Sequence, residues 1–387
     1  MTAQTGSILS SRRTTYGAIA VSAAFVMELT LVPLLLPVIQ QQFGLSIGQL
    51  AWVFNSYGIA VALGVLLGGF LGDVFGTRSI FALGVLLFAA GCTLVASAGS
   101  YHLLISGRLL QGFGGGIFSP LIPVLLTTAV PDRPGRALIV WGSIAGYVAA
   151  LAPLLYSGVL EAHSWNLAFI LFALIALTAL AIVPRTRFAL DPGQHAGVRP
   201  SYAQLLRSPP LLMMFAYIFC TYGSITYYLF RVPVWLTESS FDVASIGLIL
   251  SALWLSFSVV STGLRNAVDA PFIRVILIVA PVLIASGFVL AYHCGSVACL
   301  LLASMLMGSG LACSNAPSTQ LVLRFAPRGM TAVAASLDIT CARLGGVATV
   351  AILADTPLGL TALVVVALLG VALASAWYAG RELVAHP

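Results

Sequence analysis

From Gly17 to Ala379 the chain repeats one pattern, an apolar stretch of about 20 residues followed by a short polar break. A stretch of that length crosses about 30 Å of hydrocarbon as an α-helix. Lipid offers the backbone no hydrogen-bond partner, so only helices or a closed barrel can span it. These runs lack the period-two alternation of barrel strands, which leaves helices. Only 7% of the residues are charged, against roughly 25% in soluble domains. The predicted class is all-α, a polytopic membrane protein.

Twelve spans are predicted: Gly17–Ile39, Leu50–Gly72, Ser79–Ala98, Tyr101–Val130, Ala137–Leu160 and Trp165–Val183, then Pro210–Leu236, Ala244–Leu264, Phe272–Tyr292, Val297–Phe325, Gly329–Leu353 and Leu358–Ala379. The longest hydrophilic stretch, beginning at Pro184, is the natural midpoint. The chain therefore divides into residues 1–183, a linker over 184–207, and residues 208–387.

The net charge of +6 comes from 17 Arg and no Lys. Fourteen of them, among them Arg12, Arg78, Arg133, Arg207, Arg274, Arg324 and Arg381, fall in segments on one side of the predicted spans. The opposite loops hold Glu161, Glu238, Asp242 and Asp355 and no Arg. That asymmetry is the positive-inside bias, which puts both termini in the cytoplasm and the chain in the cell (inner) membrane. It also removes a nucleic-acid partner, because the basic residues border a bilayer. The six Cys are scattered singly, and only Cys294 and Cys299 lie near one another at an outer loop. Buried thiols are expected, with a disulfide at that loop as the alternative.

Charged side chains inside spans are costly, about 2.5–3.5 kcal/mol each on insertion scales, and by default functional. Five occur: Glu28, Arg108, Arg231, Asp338 and Arg343. Glu28 and Arg108 have similar depths in the first and fourth spans, so they can face each other across a cavity. Burial and a nearby cation pull a carboxylate in opposite directions, and a Glu poised between them can take and release a proton. The alternative is a static buried ion pair that fixes helix positions. Asp338 and Arg343, five residues apart, point to different faces of one helix, and Arg231 can snorkel to the interface. Three positive charges against two negative favour an anionic or zwitterionic solute over a purely cationic one.

Two glycine-rich clusters carry a family resemblance. The first is Gly69-Phe-Leu71-Gly72-Asp73-Val-Phe-Gly76-Thr77-Arg78, and the second is Gly107-Arg108-Leu-Leu-Gln111-Gly112-Phe-Gly114. In order and spacing they resemble the helix 2–3 loop signature and the fourth-helix R-x-x-Q-G-x-G signature of the major facilitator superfamily. The resemblance implies twelve transmembrane helices in two six-helix bundles, alternating access, and a monomer. It also implies a conformational latch at Gly69, Asp73, Gly76 and Arg78, with Val74 where the motif usually carries Arg. Helices one, four, seven and ten line the solute path in this superfamily, which favours Gln111, Tyr222, Tyr227, Asn315 and Gln320 as cavity residues, with Arg231 and Arg343. Asn55, Tyr57 and Trp254 are polar or aromatic residues favoured less.

Glu28-Leu-Thr30-Leu-Val32-Pro33-Leu-Leu-Leu-Pro37 resembles the D-x-T-x-V-x-x-x-x-P opening of the drug:proton antiporter group, with Glu for Asp. The fifth-helix antiporter signature, G-P-x-x-G-G, reads Ala152-Pro153-Leu-Leu-Tyr156-Ser157 here, without most of its glycines. The resemblance implies proton-coupled export of a small organic compound, a drug or an endogenous metabolite such as a carboxylate siderophore. Glu28, Arg108 and Asp338 would be the proton-coupling residues. Proton-symport uptake of an organic anion or other solute is the alternative. No P-loop, metal-ligand spacing or nucleophile–base motif occurs, so neither an enzyme nor a cofactor is expected.

Overall fold

The computed structural model describes residues 2–183, 205, 207–264, 272–293, 295–327 and 330–385. Most of the linker over 184–207 lies outside these residues, as do Arg265–Asp269. Among the described residues there are thirteen helices and no strands. They are α1 (Thr2–Phe43), α2 (Ile47–Phe75), α3 (Thr77–Ala96), α4 (Tyr101–Phe118), α5 (Leu121–Ala129), α6 (Pro134–Ala162) and α7 (Asn166–Ile182). After the linker come α8 (Pro209–Glu238), α9 (Val243–Leu264), α10 (Ile273–His293), α11 (Val297–Phe325), α12 (Thr331–Leu353) and α13 (Leu358–Ala385).

The fourth span departs from a single helix. It divides into α4 and α5 at Ser119-Pro120, where proline lacks an N–H and its ring crowds the preceding turn. Counting α4 and α5 as one, eleven spans among the described residues have the length and hydropathy to cross a membrane, and the 17-residue α7 is a shorter apolar helix. Short turns join neighbouring spans within each half, and three of them are capped by serine. Ser46 and Gln49 form a reciprocal capping box at α2, and Ser100 and Ser296 cap α4 and α11. Successive spans therefore alternate in direction, leaving both chain ends on one side, the terminal side; the other is the far side.

The second six spans repeat the packing of the first. α1 lies on α6 and α7, as α8 lies on α12 and α13. α4 is packed by α2 and α3, as α11 is packed by α9 and α10. The halves meet chiefly through α2 on α12 and α6 on α9, with α1 beside α8.

Glycine sets the closest of these approaches. A Cβ on Gly112 would sit 2.4 Å from the Tyr57 carbonyl oxygen, and one on Gly116 the same distance from that of Val61. The spacing is small-xxx-small packing of α4 on α2. Phe118 ends this seam, with Phe25, Phe81 and Phe88 all edge-on to it at centroid distances of 5.5, 6.1 and 5.6 Å. Each such pair adds about 0.5–1.5 kcal/mol beyond its buried area.

Cys92, Cys220, Cys313 and Cys341 are free thiols. Cys299 is disulfide-bonded, which corrects the expectation of free thiols at the far-side loop; Cys294 lies outside the described residues.

Candidate functional site

Between the halves lies a cavity of about 330 Å³, within the usual range for small-molecule sites. On the first-half wall, α1 supplies Glu28, α2 supplies Phe54, Asn55 and Tyr57, and α4 supplies Arg108. Arg108 Nη1 donates to Glu28 Oε1 at 2.5 Å and to Gln111 Oε1 at 2.7 Å. Its Nε donates to the Val53 carbonyl at 3.3 Å, and the guanidinium lies 4.4 Å from the Tyr57 ring centroid. Four partners therefore hold one cation. Glu28 and Arg108 are each only 1% exposed, and losing Arg108 would leave the Glu28 charge buried without its counter-charge, at about 3–5 kcal/mol. The second carboxylate oxygen of Glu28 is buried without a hydrogen bond.

The second-half wall is built by α8, α9, α11 and α12. Tyr222 donates its hydroxyl to Asn315 Oδ1 at 2.8 Å, and Thr319 donates to Asp338 Oδ2 at 2.6 Å. Trp254 and Phe257 add an apolar face. Arg343 lines the same cavity and, among the described residues, makes no hydrogen bond or ion pair. Asp338 and Arg343 do not pair with each other, yet both reach the cavity because the long Arg side chain spans the difference in facing.

Four expected cavity residues lie off this wall. Gln111 stands behind Arg108, donating to Cys92 Sγ at 3.2 Å. Tyr227 is fully buried, donating to the Leu353 carbonyl at 3.3 Å. Gln320 follows Asn315 by five residues, about 140° round the helix, and turns away from the cavity. Arg231 pairs with Glu238 at 3.1 Å near the far side, beside Trp235 and Tyr292. Asn55, Tyr57, Trp254 and Thr319 hold the wall instead; the signal for the first three was polarity or aromaticity inside a span, set aside for the choice of helix.

The halves are closed at the far side. Phe54 packs on Phe230 at 5.6 Å, and Asn55 donates to the Val347 carbonyl at 3.0 Å. A Cβ on Gly58 would meet Val347 at 3.0 Å, and one on Gly247 would meet Pro153 and Ser157 at 2.7 Å. Toward the terminal side the same faces separate. Gly69 stands three turns beyond Gly58 on one face of α2, and a Cβ there would meet nothing within 4 Å. Gly142 of α6 is equally open. Gly76 takes φ +90° in the tight turn from α2 to α3, a conformation that favours glycine. Arg78 begins α3 and donates to the Val183 carbonyl at the end of α7 at 3.0 Å, a cation at a helix C-terminus. The Asp73 side chain lies outside the described residues.

Residues 17–350 match the family model of the Major Facilitator Superfamily. The chain belongs to that superfamily. Membership describes a transporter rather than an enzyme, and a chain that crosses the membrane many times. Among curated proteins it is similar to the tetracenomycin C resistance and export protein of Streptomyces glaucescens, 31% identical over 42% of this chain and 31% of that one. It is similar to a multidrug resistance protein B homolog of Mycobacterium tuberculosis, 35% identical over 38% of this chain and 28% of that one. The puromycin resistance protein pur8 of Streptomyces alboniger is 33% identical over 44% of this chain and 36% of its own length. Each alignment thus spans about a third of the relative. Among solved structures, the superfamily fold is shared with a variant of the nucleoside transporter NupG, at a TM-score of 0.76, 14% identity, and 95% and 98% coverage of the two chains. The POT family transporter PepTSo gives 0.73 and 13%, with 97% and 99% covered.

Proposed function

We propose that this superfamily member exports a small organic compound, a drug or an endogenous metabolite such as a carboxylate siderophore, by proton antiport through alternating access. The observation that carries the reading is the Glu28–Arg108 pair on the cavity wall, with one Glu28 oxygen unbonded and the cavity beside it. A buried carboxylate that faces one cation can trade that partner for a proton when the cavity changes sides. Asp338, which accepts from the Thr319 hydroxyl, is the second candidate for a proton. Export is the reading supported by relatives named for resistance and export.

In this proposal residues 1–183 and 208–387 rock against each other, and the Arg-rich terminal side faces the cytoplasm of the cell (inner) membrane. The conformation described above is then inward-open. Gly69, Asp73, Gly76 and Arg78 would form the latch that closes that side. The transporter works as a monomer with protons, solute and lipid as its partners. Proton-symport uptake is the second reading, favoured by the missing glycines around Pro153 of α6.

The test is solute-dependent proton movement in proteoliposomes under an imposed pH gradient, comparing the native protein with Glu28→Gln. Solute moving against protons, with coupling abolished in the variant, supports antiport. Movement together with protons supports uptake. Coupling that survives Glu28→Gln removes this carboxylate from the mechanism.

A further inference from the structure

We infer that Arg343 is the anchor for an oxyanion on the transported solute, so that the cavity selects an aromatic organic carboxylate. This rests on reading the cavity as the solute site. Of the two guanidinium groups on the wall, Arg108 is committed to Glu28, Gln111 and the Val53 carbonyl. Arg343 has no hydrogen bond or ion pair among the described residues. An Arg inside a membrane-spanning segment needs a counter-charge or water, and its planar fork matches a carboxylate with two parallel hydrogen bonds. Glu28 is committed to Arg108, and Asp338, which accepts from the Thr319 hydroxyl, makes no ion pair with Arg343 among the described residues. A carboxylate on the solute would give Arg343 the two-pronged partner that the wall does not. Phe54, Trp254 and Phe257 line the same space and offer flat apolar faces to a ring system.

The Trp254 indole provides the readout. 2-Naphthoate, 2-naphthamide and 2-naphthylmethylammonium share one ring body and differ in charge. Each is titrated into the detergent-solubilised native protein while tryptophan fluorescence is followed, with Trp254→Phe identifying the part of the signal that belongs to the cavity. The naphthoate is expected to bind at least tenfold tighter than the ammonium. Arg343→Gln is expected to lower naphthoate affinity at least tenfold and leave naphthamide affinity within about threefold, which also reports a folded cavity. If Arg343→Gln does not fold, Arg343→Lys serves: it should keep the order of carboxylate over ammonium with weaker naphthoate binding. Tighter binding of the ammonium, or naphthoate affinity unchanged in the Gln variant or, where that variant does not fold, in the Lys variant, overturns the proposal. Binding needs no gradient, so the proteoliposome experiment can fail while this one succeeds, and the reverse.

Discussion

Arg108 of α4 reaches Glu28 of α1 at 2.5 Å in a setting where each is 1% exposed, which joins two helices and one wall of the cavity through a single contact. The Arg is over-determined by Gln111, the Val53 carbonyl and the Tyr57 ring, while Arg108 is the one ion-pair partner of the Glu among the described residues. Loss of the two partners should therefore be unequal. Arg108→Met is expected to destabilise the protein by about 3–5 kcal/mol, the cost of stranding a buried charge. Glu28→Gln should cost less, and Glu28→Gln with Arg108→Met should recover part of the loss. Thermal unfolding in detergent across this double-mutant cycle checks it; strictly additive losses would show that the two residues are not coupled.

Backbone-to-backbone contact at glycines sorts substitutions into two groups. A Cβ on Gly308 would lie 2.0 Å from the Leu253 carbonyl oxygen, and one on Gly91 would lie 2.2 Å from the Gln111 backbone nitrogen. Gly308→Ala and Gly91→Ala should each cost about 1–3 kcal/mol by forcing helices apart. Gly158→Ala and Gly370→Ala meet nothing within 4 Å and should be neutral or slightly stabilising. Unfolding temperatures of the four variants decide the matter, and equal effects would refute the packing account.

Gly247 touches Pro153 and Ser157 of the other half, so it acts only while the far side is closed. A valine there is expected to disfavour the closed far side and shift the population toward the opposite conformation. Distances between spin labels on the terminal-side ends of α2 and α12 should shorten in Gly247→Val. An unchanged distance distribution would mean that the α6–α9 seam does not separate during the cycle.

Asp242 precedes α9 on the far side and accepts from the Ser245 backbone N–H at 3.2 Å, an N-cap arrangement. The Ser245 hydroxyl first, and then that backbone N–H, hold its carboxyl below the usual carboxylate range. A lowered folded value means that the stabilisation is present above the unfolded value, near 4, and is lost as pH falls through the folded value. Asp242→Ala should therefore unfold at a lower temperature than the native protein at pH 7. The gap should close as pH drops below about 4. Asp242→Asn, which keeps the acceptor, should remove the pH dependence and retain most of the stability at pH 7.

Much of this molecule was legible in one dimension. Span length, low charge and the one-sided Arg distribution follow from the cost of taking polar groups into hydrocarbon, and that cost is paid residue by residue. Depth is equally local, since 1.5 Å per residue sets Glu28 and Arg108 at similar levels before any packing is known. The break at Ser119-Pro120 was not legible, because Pro33, Pro37, Pro153, Pro233, Pro281 and Pro317 all stand inside continuous helices, so a proline permits a break without dictating one.

Facing was decided only by the tertiary structure. Tyr222 and Asn315 share a hydrogen bond on the cavity wall, while Tyr227 and Gln320, each five residues further along the same helices, turn away. Polarity alone could not separate them, because a buried hydroxyl or amide is satisfied equally well by a neighbouring carbonyl, as Tyr227 is by Leu353. The wall drew on α2 and α9 as well as the expected helices, since crossing helices converge at the far side and bring Asn55, Tyr57 and Trp254 inward. Sequence by itself determined which side chains could not face lipid unaided. Packing decided the rest: within the first half it set Arg108 of α4 against its counter-charge on α1, and in the second half it left Arg343 without an ion pair among the described residues.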